Sequence, residues 1–509
     1  MAIPLPGTPI IIDIGSVYVK IGFAGEPSPR FVFPCITGTE KYKAVLVDVG
    51  ARSIYVGNDA ERMRGVLKIK YPIQRGTIMD WNSYYEILNY IFYTLLRIDN
   101  LYDYPVFYTE APFVQKETKE YIARVLFETH RVKSLMMMPT PLLSIFSVGL
   151  TSGLVIESGD GLTWVVPVVN GKIVLQAVQK IKLAGIDVNQ NLKNLLMREG
   201  ISIASSAVDE IVREIKEKNC YFILDPQKSP ATRDKLSYSM PDGASLNIPS
   251  HVLHEAPEVL FNPGILGYGN VQSIQEAIIA CLKIMDKQYW SELLSHIVFS
   301  GGNLSYSGFQ ERFESELDKL LPQLGRIPKP VTPMSAVKSE LIKLQAMEIK
   351  KKKEDTCPQC GAYVDLSTGI EYCPSCNARM VVPEIKIGPE VEKEKKMEKG
   401  ITVRCPKCKK EIKDPSSVFC PYCGRTIEEL EKVVIPEKVS KKTPAQEFSE
   451  FFESANKLLR FFVPDNLQYA IFNGAAILGS LPSFLQLFIT YEQFQSDKNL
   501  LYRDISEIL

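Results

Sequence analysis

Short apolar, β-branched runs bounded by turn residues recur up to Gly325: IIIDIG, VYVKIGFAG, AVLVDVG, PVFYTEAP, LVIESG, TWVVPVV and HIVFSGG. Runs of this length and composition predict strands. Between them, SYYEILNYIFYTLLRI, KETKEYIARVLFETH and VDEIVREIKEKN place apolar residues three and four apart, which predicts helices. Alternation of the two periods predicts a layered α/β fold. The pattern breaks after Gly325. Pro328, Pro330 and Pro333 open a link, and SAVKSELIKLQAMEIKKKKED reads as an amphipathic helix ending in lysines. The charged segments PEIKIGPEVEKEKKMEKG and IPEKVSKKTPAQ follow. An apolar pattern resumes near Phe451, so residues 326–450 are expected to be an insertion inside a host fold.

Two uncharged stretches, residues 135–156 and 470–490, are long enough to cross a bilayer. Pro139, Pro141, Gly149 and Gly153 interrupt the first, and Asn473, Pro482 and Gln486 the second, so buried core is expected and no membrane partner. Composition adds bounds rather than identity. With 509 residues, 45% hydrophobic content and zero formal net charge, the chain has room for several cores and no global field for nucleic acid or anionic lipid. The start MAIPLPGTPIIIDIG lacks a basic n-region and a cleavage pattern, and the cysteine usage fits a reducing compartment. A cytoplasmic location is expected.

Two segments share a plan of strand, acid, glycine-containing turn and second strand. They are IIIDIGSVYVKIGFAG from Ile10 and LVIESGDGLTWVVPV from Leu154. A single Asp-Gly turn is ordinary hairpin chemistry. Two such turns facing each other across a cleft would cradle phosphate oxygens on backbone amides, while their carboxylates hold a hydrated divalent cation. Lys20 would add a point charge for the same phosphates. A third strand ending in Ser300-Gly301-Gly302 leaves room for a nucleoside to approach closely.

Residues 10–325 and about 458–495 resemble actin and the actin-related proteins. YPIQRGTIMDW, TEAP, FET, ESGDG, LAGID, EIVREIKEKNCY, FNPGILG, SGG and SFLQLFIT follow the family pattern in order and roughly in spacing. The resemblance implies a two-lobed α/β fold of four subdomains with ATP or ADP and Mg²⁺ in the cleft. It places the first subdomain at 1–34, 72–147 and 470–509, and the second at 35–71. The third falls at 148–184, 273–325 and 451–469, and the fourth at 185–272. Residues 39–52 would be the polymerisation loop. It assigns Asp13, Gly15, Ser16 and Lys20 to the first phosphate loop. Glu157, Gly159, Asp160 and Gly161 fall to the second. Gly185, Lys216, Glu217, Gly301, Gly302 and Tyr306 fall to the nucleoside side. The departures concern hydrolysis. Thr140 stands where the family orients water with a glutamine, and Trp164 where it has a histidine. Glu157 replaces an aspartate, Val17 a glycine, Gln468 a lysine near the base, and Arg75 a histidine beside the YPI turn. No catalytic residue is therefore assigned, and ATP binding with slow or absent hydrolysis is expected.

Of eleven cysteines, eight form four C-P-x-C pairs: Cys357 and Cys360 with Cys373 and Cys376, then Cys405 and Cys408 with Cys420 and Cys423. Two residues between cysteines let a knuckle turn present both sulfurs to one tetrahedral ion, and a short hairpin brings in the second pair. Two structural Zn²⁺ ribbons are expected, at 357–380 and 404–427. Between and around them lie a linker with a helix (326–356) and charged linkers (381–403, 428–450). The second ribbon carries Arg404, Lys407, Lys409, Lys410, Lys413 and Arg425, tempered by Glu411 and Asp414. A protein partner is its first expected ligand and nucleic acid its second. The leading functional expectation is an ATP-dependent, actin-related cytoskeletal protein that joins, caps or nucleates filaments of an actin-like protein or of itself. The alternative is a non-polymerising scaffold subunit of a larger complex.

Overall fold

The computed structural model describes residues 4–41, 54–203, 207–226, 235–240, 243, 245–325, 403–404, 411–412 and 459–503. The chain divides into two compact units, Met1–Leu341 with Phe448–Leu509, and Ile342–Glu447. In the first unit, β1 (Ile10–Ile14), β2 (Tyr18–Phe23) and β3 (Phe31–Pro34) form an antiparallel meander. A small sheet of β4 (Thr37–Glu40), β5 (Tyr55–Val56) and β6 (Leu67–Lys70) follows, then a hairpin of β7 (Ile73–Gln74) and β8 (Thr77–Ile78). Next, β9 (Val106–Glu110) pairs parallel to β1, and β10 (Leu135–Pro139) pairs parallel to β9.

A second large sheet repeats this plan. β11 (Gly153–Ser158) and β12 (Thr163–Val169) form its antiparallel hairpin, and β13 (Lys172–Ile173) and β14 (Gln179–Ile181) pair with β12. After a separate hairpin of β15 (Lys235–Ser239) and β16 (Ser245–Pro249), β17 (Ile297–Ser300) lies parallel to β11. In the second unit, β18 (Val403–Arg404) pairs antiparallel to β19 (Glu411–Ile412). The chain then returns to the first unit, where β20 (Phe461–Phe462) pairs parallel to β17.

The unbroken apolar runs have a simple cause. Successive strand residues point to opposite faces, and both faces of each large sheet are covered. Ile10 and Ile12 enter one core with Val19, Ile21 and Val106. Leu154 and Ile156 enter another with Ile297 and Phe299. The residues between them, Ile11 and Val155, meet in a third core shared by the two sheets. That core is filled by helices Thr140–Ser147 and Ala470–Gly479, so both uncharged stretches are interior packing. The helices touch backbone to backbone: a Cβ at Gly474 would lie 1.9 Å from the Leu143 carbonyl oxygen. No helix among the described residues is long and apolar enough to cross a membrane.

Two helices end differently from their 3.6-residue pattern. The segment from Trp81 is α-helical to Asn89 and then π-helical over Tyr90–Leu95. The segment from Lys116 is α-helical to Arg124 and π-helical over Val125–Thr129. One extra residue per turn leaves the buried face intact, since Ile91, Phe92, Leu126 and Phe127 all remain in the core. The predicted strand AVLVDVG and most of segment 39–52 lie outside the described residues, as do all eight paired cysteines.

Candidate functional site

Each of the two turns expected to hold phosphates is built by the strand pair that carries it. Asp13 and Lys20 are cross-strand partners on β1 and β2. Lys20 Nζ donates to Asp13 Oδ2 at 2.8 Å, and Thr109 Oγ1 on β9 donates to Asp13 Oδ1 at 2.8 Å. Glu157 and Trp164 are the corresponding partners on β11 and β12. The turns are closed by Gly15 N–H to the Tyr18 carbonyl (3.0 Å) and Gly159 N–H to the Leu162 carbonyl (3.2 Å). The N–H groups of Ser16, Val17, Asp160 and Gly161 donate to no other described backbone group.

These turns face one cavity of about 550 Å³, within the range that takes a nucleotide-sized ligand. Asp13, Gly15, Ser16 and Lys20 line it from one side, and Glu157, Gly159, Asp160 and Gly161 from the other. Gly185, Lys216, Glu217, Gly301, Gly302 and Tyr306 line it too, as do Thr140, Trp164 and Gln468. Lys216 Nζ sits 3.6 Å from Asp160 Oδ1 and donates to the Gly185 carbonyl at 3.1 Å. Burial pulls the Lys216 ammonium below its usual pKa range, so a polyanion beside it would be welcome. Tyr306 OH donates to Asn303, which donates to Ser158, which bonds Thr163. This relay ties the end of β17 to the second phosphate turn.

Glu157 is the unusual carboxylate. Thr140 Oγ1 donates to its Oε1 at 2.8 Å, whereas its Oε2 and Asp160 Oδ1 are buried without a hydrogen bond. Burial pushes the Glu157 carboxyl up to about 7, with the Asp13 charge adding to the rise and the Thr140 hydroxyl opposing it. Asp160 Oδ1 is ion-paired with Lys216, and Glu157 Oε2 has no hydrogen-bond partner among the described residues. Carboxylates of this kind beside uncommitted backbone amides fit a ligand that brings both a cation and phosphates. Among the described residues no three acidic, histidine or cysteine side chains converge on one point. A cation here would therefore keep most of its water shell and lean on the phosphates, as Mg²⁺ does. Asp13, Glu157 and Asp160 are the residues that would hold that shell.

The raised Glu157 carboxyl fixes the sign of a pH effect in nucleotide-free protein. The folded state keeps a proton that the unfolded chain releases at the ordinary carboxylate pKa. Stability from this group is thus full below that value and is lost as pH rises to about 7. Glu157→Gln should match the parent's folding stability near pH 4 and exceed it increasingly toward pH 8, by at most about 3 kcal/mol, with melting temperatures following the same order. Parallel melting curves across that range would contradict the burial of this charge.

Three features depart from the sequence-based expectation. Gly301, at φ 93°, lines the cavity but is also under a packing constraint that Ser300-Gly301-Gly302 alone does not show: a Cβ there would lie 2.2 Å from the Ser158 carbonyl oxygen of β11. Thr109 holds Asp13, although TEAP had served only as a family marker. Finally, residues 18–75 reach the 185–219 region through several polar contacts that no local pattern announces. Tyr18 OH donates to Glu217 (3.3 Å), Tyr71 OH donates to Glu210 (3.0 Å), and Arg64 pairs with Glu210 (2.7 Å). Arg213 lies 3.6 Å from Glu61, and Arg75 pairs with Asp187 at 2.8 Å.

The family model named Actin matches residues 5–340, about two thirds of the chain. The match takes in both phosphate turns and the Ser300–Tyr306 segment but stops before the C-terminal return. There the structure continues the same unit, with β20 on β17 and the 470–479 helix in the shared core. The matched span and the cavity it encloses make the conclusion direct: this chain belongs to the actin family.

Proposed function

We propose that this actin-family chain binds ATP or ADP with Mg²⁺ in the cavity between its two acidic turns. The observation that carries this reading is the pair of turns itself. The turn residues Gly15, Ser16, Val17, Gly159, Asp160 and Gly161, the carboxylate residues Asp13 and Glu157, and the lysines Lys20 and Lys216 all line one nucleotide-sized space. The test is titration of the folded full-length chain with a fluorescent ATP analogue. Saturable binding at one site per chain, competed by ATP and tightened by Mg²⁺, is expected. A folded chain that binds no nucleotide overturns the proposal.

On this reading the protein works as a cytoplasmic, nucleotide-dependent clamp that joins, caps or nucleates actin-like filaments, with slow or absent hydrolysis. The two cysteine modules are structural Zn²⁺ ribbons that dock a protein partner. Support for the second module is the pairing of Val403–Arg404 with Glu411–Ile412, a backbone hairpin that brackets the C-P-K-C sequence as a knuckle requires. The scaffold reading stays open beside it, because an insertion this long can occlude a filament contact, and the basic second module suits nucleic acid as its ligand. Pelleting after addition of Mg²⁺–ATP, with intact and insert-deleted chain, separates the two. Filaments formed by the intact chain favour joining or nucleating, and filaments formed only after deletion speak against self-assembly and favour the scaffold reading or capping of another protein's filaments.

A further inference from the structure

Arg75 occupies a backbone position that disfavours it. Gln74 pairs with Thr77, so the β7–β8 hairpin closes through Arg75-Gly76 alone, at φ 44° and 71°. A two-residue loop with both residues left-handed is a type I′ turn, where Asn-Gly is the usual choice. An arginine there must be compensated by what its side chain does.

The side chain spans three elements. Arg75 Nη1 donates to the Gly161 carbonyl at 3.1 Å and to Asp187 Oδ2 at 3.1 Å, while Nη2 donates to Asp187 Oδ1 at 2.8 Å. Asp187 is 2% exposed, and its carboxylate also accepts the Ala184 N–H at 2.9 Å, which caps the helix Gly185–Arg198. The hairpin backbone is pressed against the second phosphate turn, since a Cβ on Gly161 would lie 2.7 Å from Arg75 Cα. It touches the first turn as well, through Gly76 N–H and Ser16 Oγ at 3.4 Å. Ile73 anchors the hairpin in the core of the first sheet, and Ile78 packs against that core.

We propose that Arg75 is a positioning residue that braces the second phosphate turn and the start of the 185–198 helix against the first phosphate turn, and thereby sets how long the nucleotide stays bound. This rests on the nucleotide reading above. Release of a triphosphate requires the two turns to part. Because the hairpin is rooted in the first sheet's core while its guanidinium grips Gly161 and Asp187, parting them breaks a forked, charge-assisted contact whose acidic half is buried. A lysine has one charged nitrogen and cannot make the fork.

The experiment measures association and dissociation of a fluorescent ATP analogue from the full chain in Mg²⁺. It compares the parent with Arg75→Gln, Arg75→Lys, Asp187→Asn and the Arg75→Gln/Asp187→Asn pair. Loss of a forked pair whose acidic half is buried acts mainly on escape, so Arg75→Gln should speed dissociation at least ~10-fold and change association less than ~3-fold. Arg75→Lys should fall between parent and Gln. The paired variant should be no faster than the faster single one, because both remove the same contact. Dissociation within ~2-fold of the parent for Arg75→Lys and Asp187→Asn overturns the brace even if Arg75→Gln fails to fold. A parent that binds no nucleotide overturns the underlying reading instead, and the two failures are told apart by that first titration.

Discussion

Replacing Thr140 by Gln and Trp164 by His together is expected to raise the rate of phosphate release from bound ATP about 10²–10⁴-fold. On the proposed reading, neither Thr140 nor Trp164 offers the water-organising group that the family carries at these two positions. Thr140 has one short hydroxyl, and it is committed to Glu157 Oε1 at 2.8 Å. Trp164 is 4% exposed, with Phe113 5.7 Å from its ring and the Lys180 ammonium 5.2 Å over it. Its indole N–H can only donate, so it cannot take a proton from water. It also fills space directly across the strand pair from Glu157. A glutamine on the first turn of the 140–147 helix would bring an amide that both donates and accepts, and a histidine would supply a base that titrates near neutrality. Each single variant should gain less than the pair. The measurement is single-turnover phosphate release at saturating Mg²⁺–ATP, with melting recorded because Trp164 belongs to the core shared by the sheets. A parent that already releases phosphate as fast as the double variant would show that the site finds its water elsewhere.

Much of this site was legible because its parts are local. IIIDIG and LVIESG each begin with consecutive apolar positions since each strand feeds two cores, and the glycine turns that follow are closed by backbone partners three residues on, Gly15 to Tyr18 and Gly159 to Leu162. The turn chemistry, and the strand that ends at Ser300, follow from such runs alone. What escaped the sequence is the set of contacts between distant segments. Arg75 and Asp187 are 112 residues apart, and neither Q-R-G nor L-A-G-I-D marks the other as its partner. Read locally, Arg75 is only a residue missing from a family pattern. Its left-handed φ, visible only in three dimensions, is what shows that the turn tolerates it for a reason. The π-helical endings escaped for a different cause. Shifting the hydrogen-bond register by one residue near a helix end changes which carbonyl is used but keeps the same side chains buried.

Removing metal is expected to separate the two compact units by their response. The four C-P-x-C pairs lie outside the described residues, and their spacing and the β18–β19 pairing that brackets Cys405 and Cys408 are what point to metal. Segments as short as 357–380 and 404–427 bury little apolar surface and need a staple. A zinc site of four thiolates supplies about 10–16 kcal/mol of binding free energy, which in such a module is folding free energy. Elemental analysis of protein purified without chelator should find two zinc ions per chain. A strong chelator should then render residues 342–447 protease-sensitive while nucleotide binding by the remaining unit survives, because the described residues that line the cavity all belong to that unit. Cys405→Ser should lower the zinc content to one and act on the second module alone. Zinc-free protein whose insert resists protease as well as the untreated chain would remove the metal from the account and leave the cysteines as ordinary thiols.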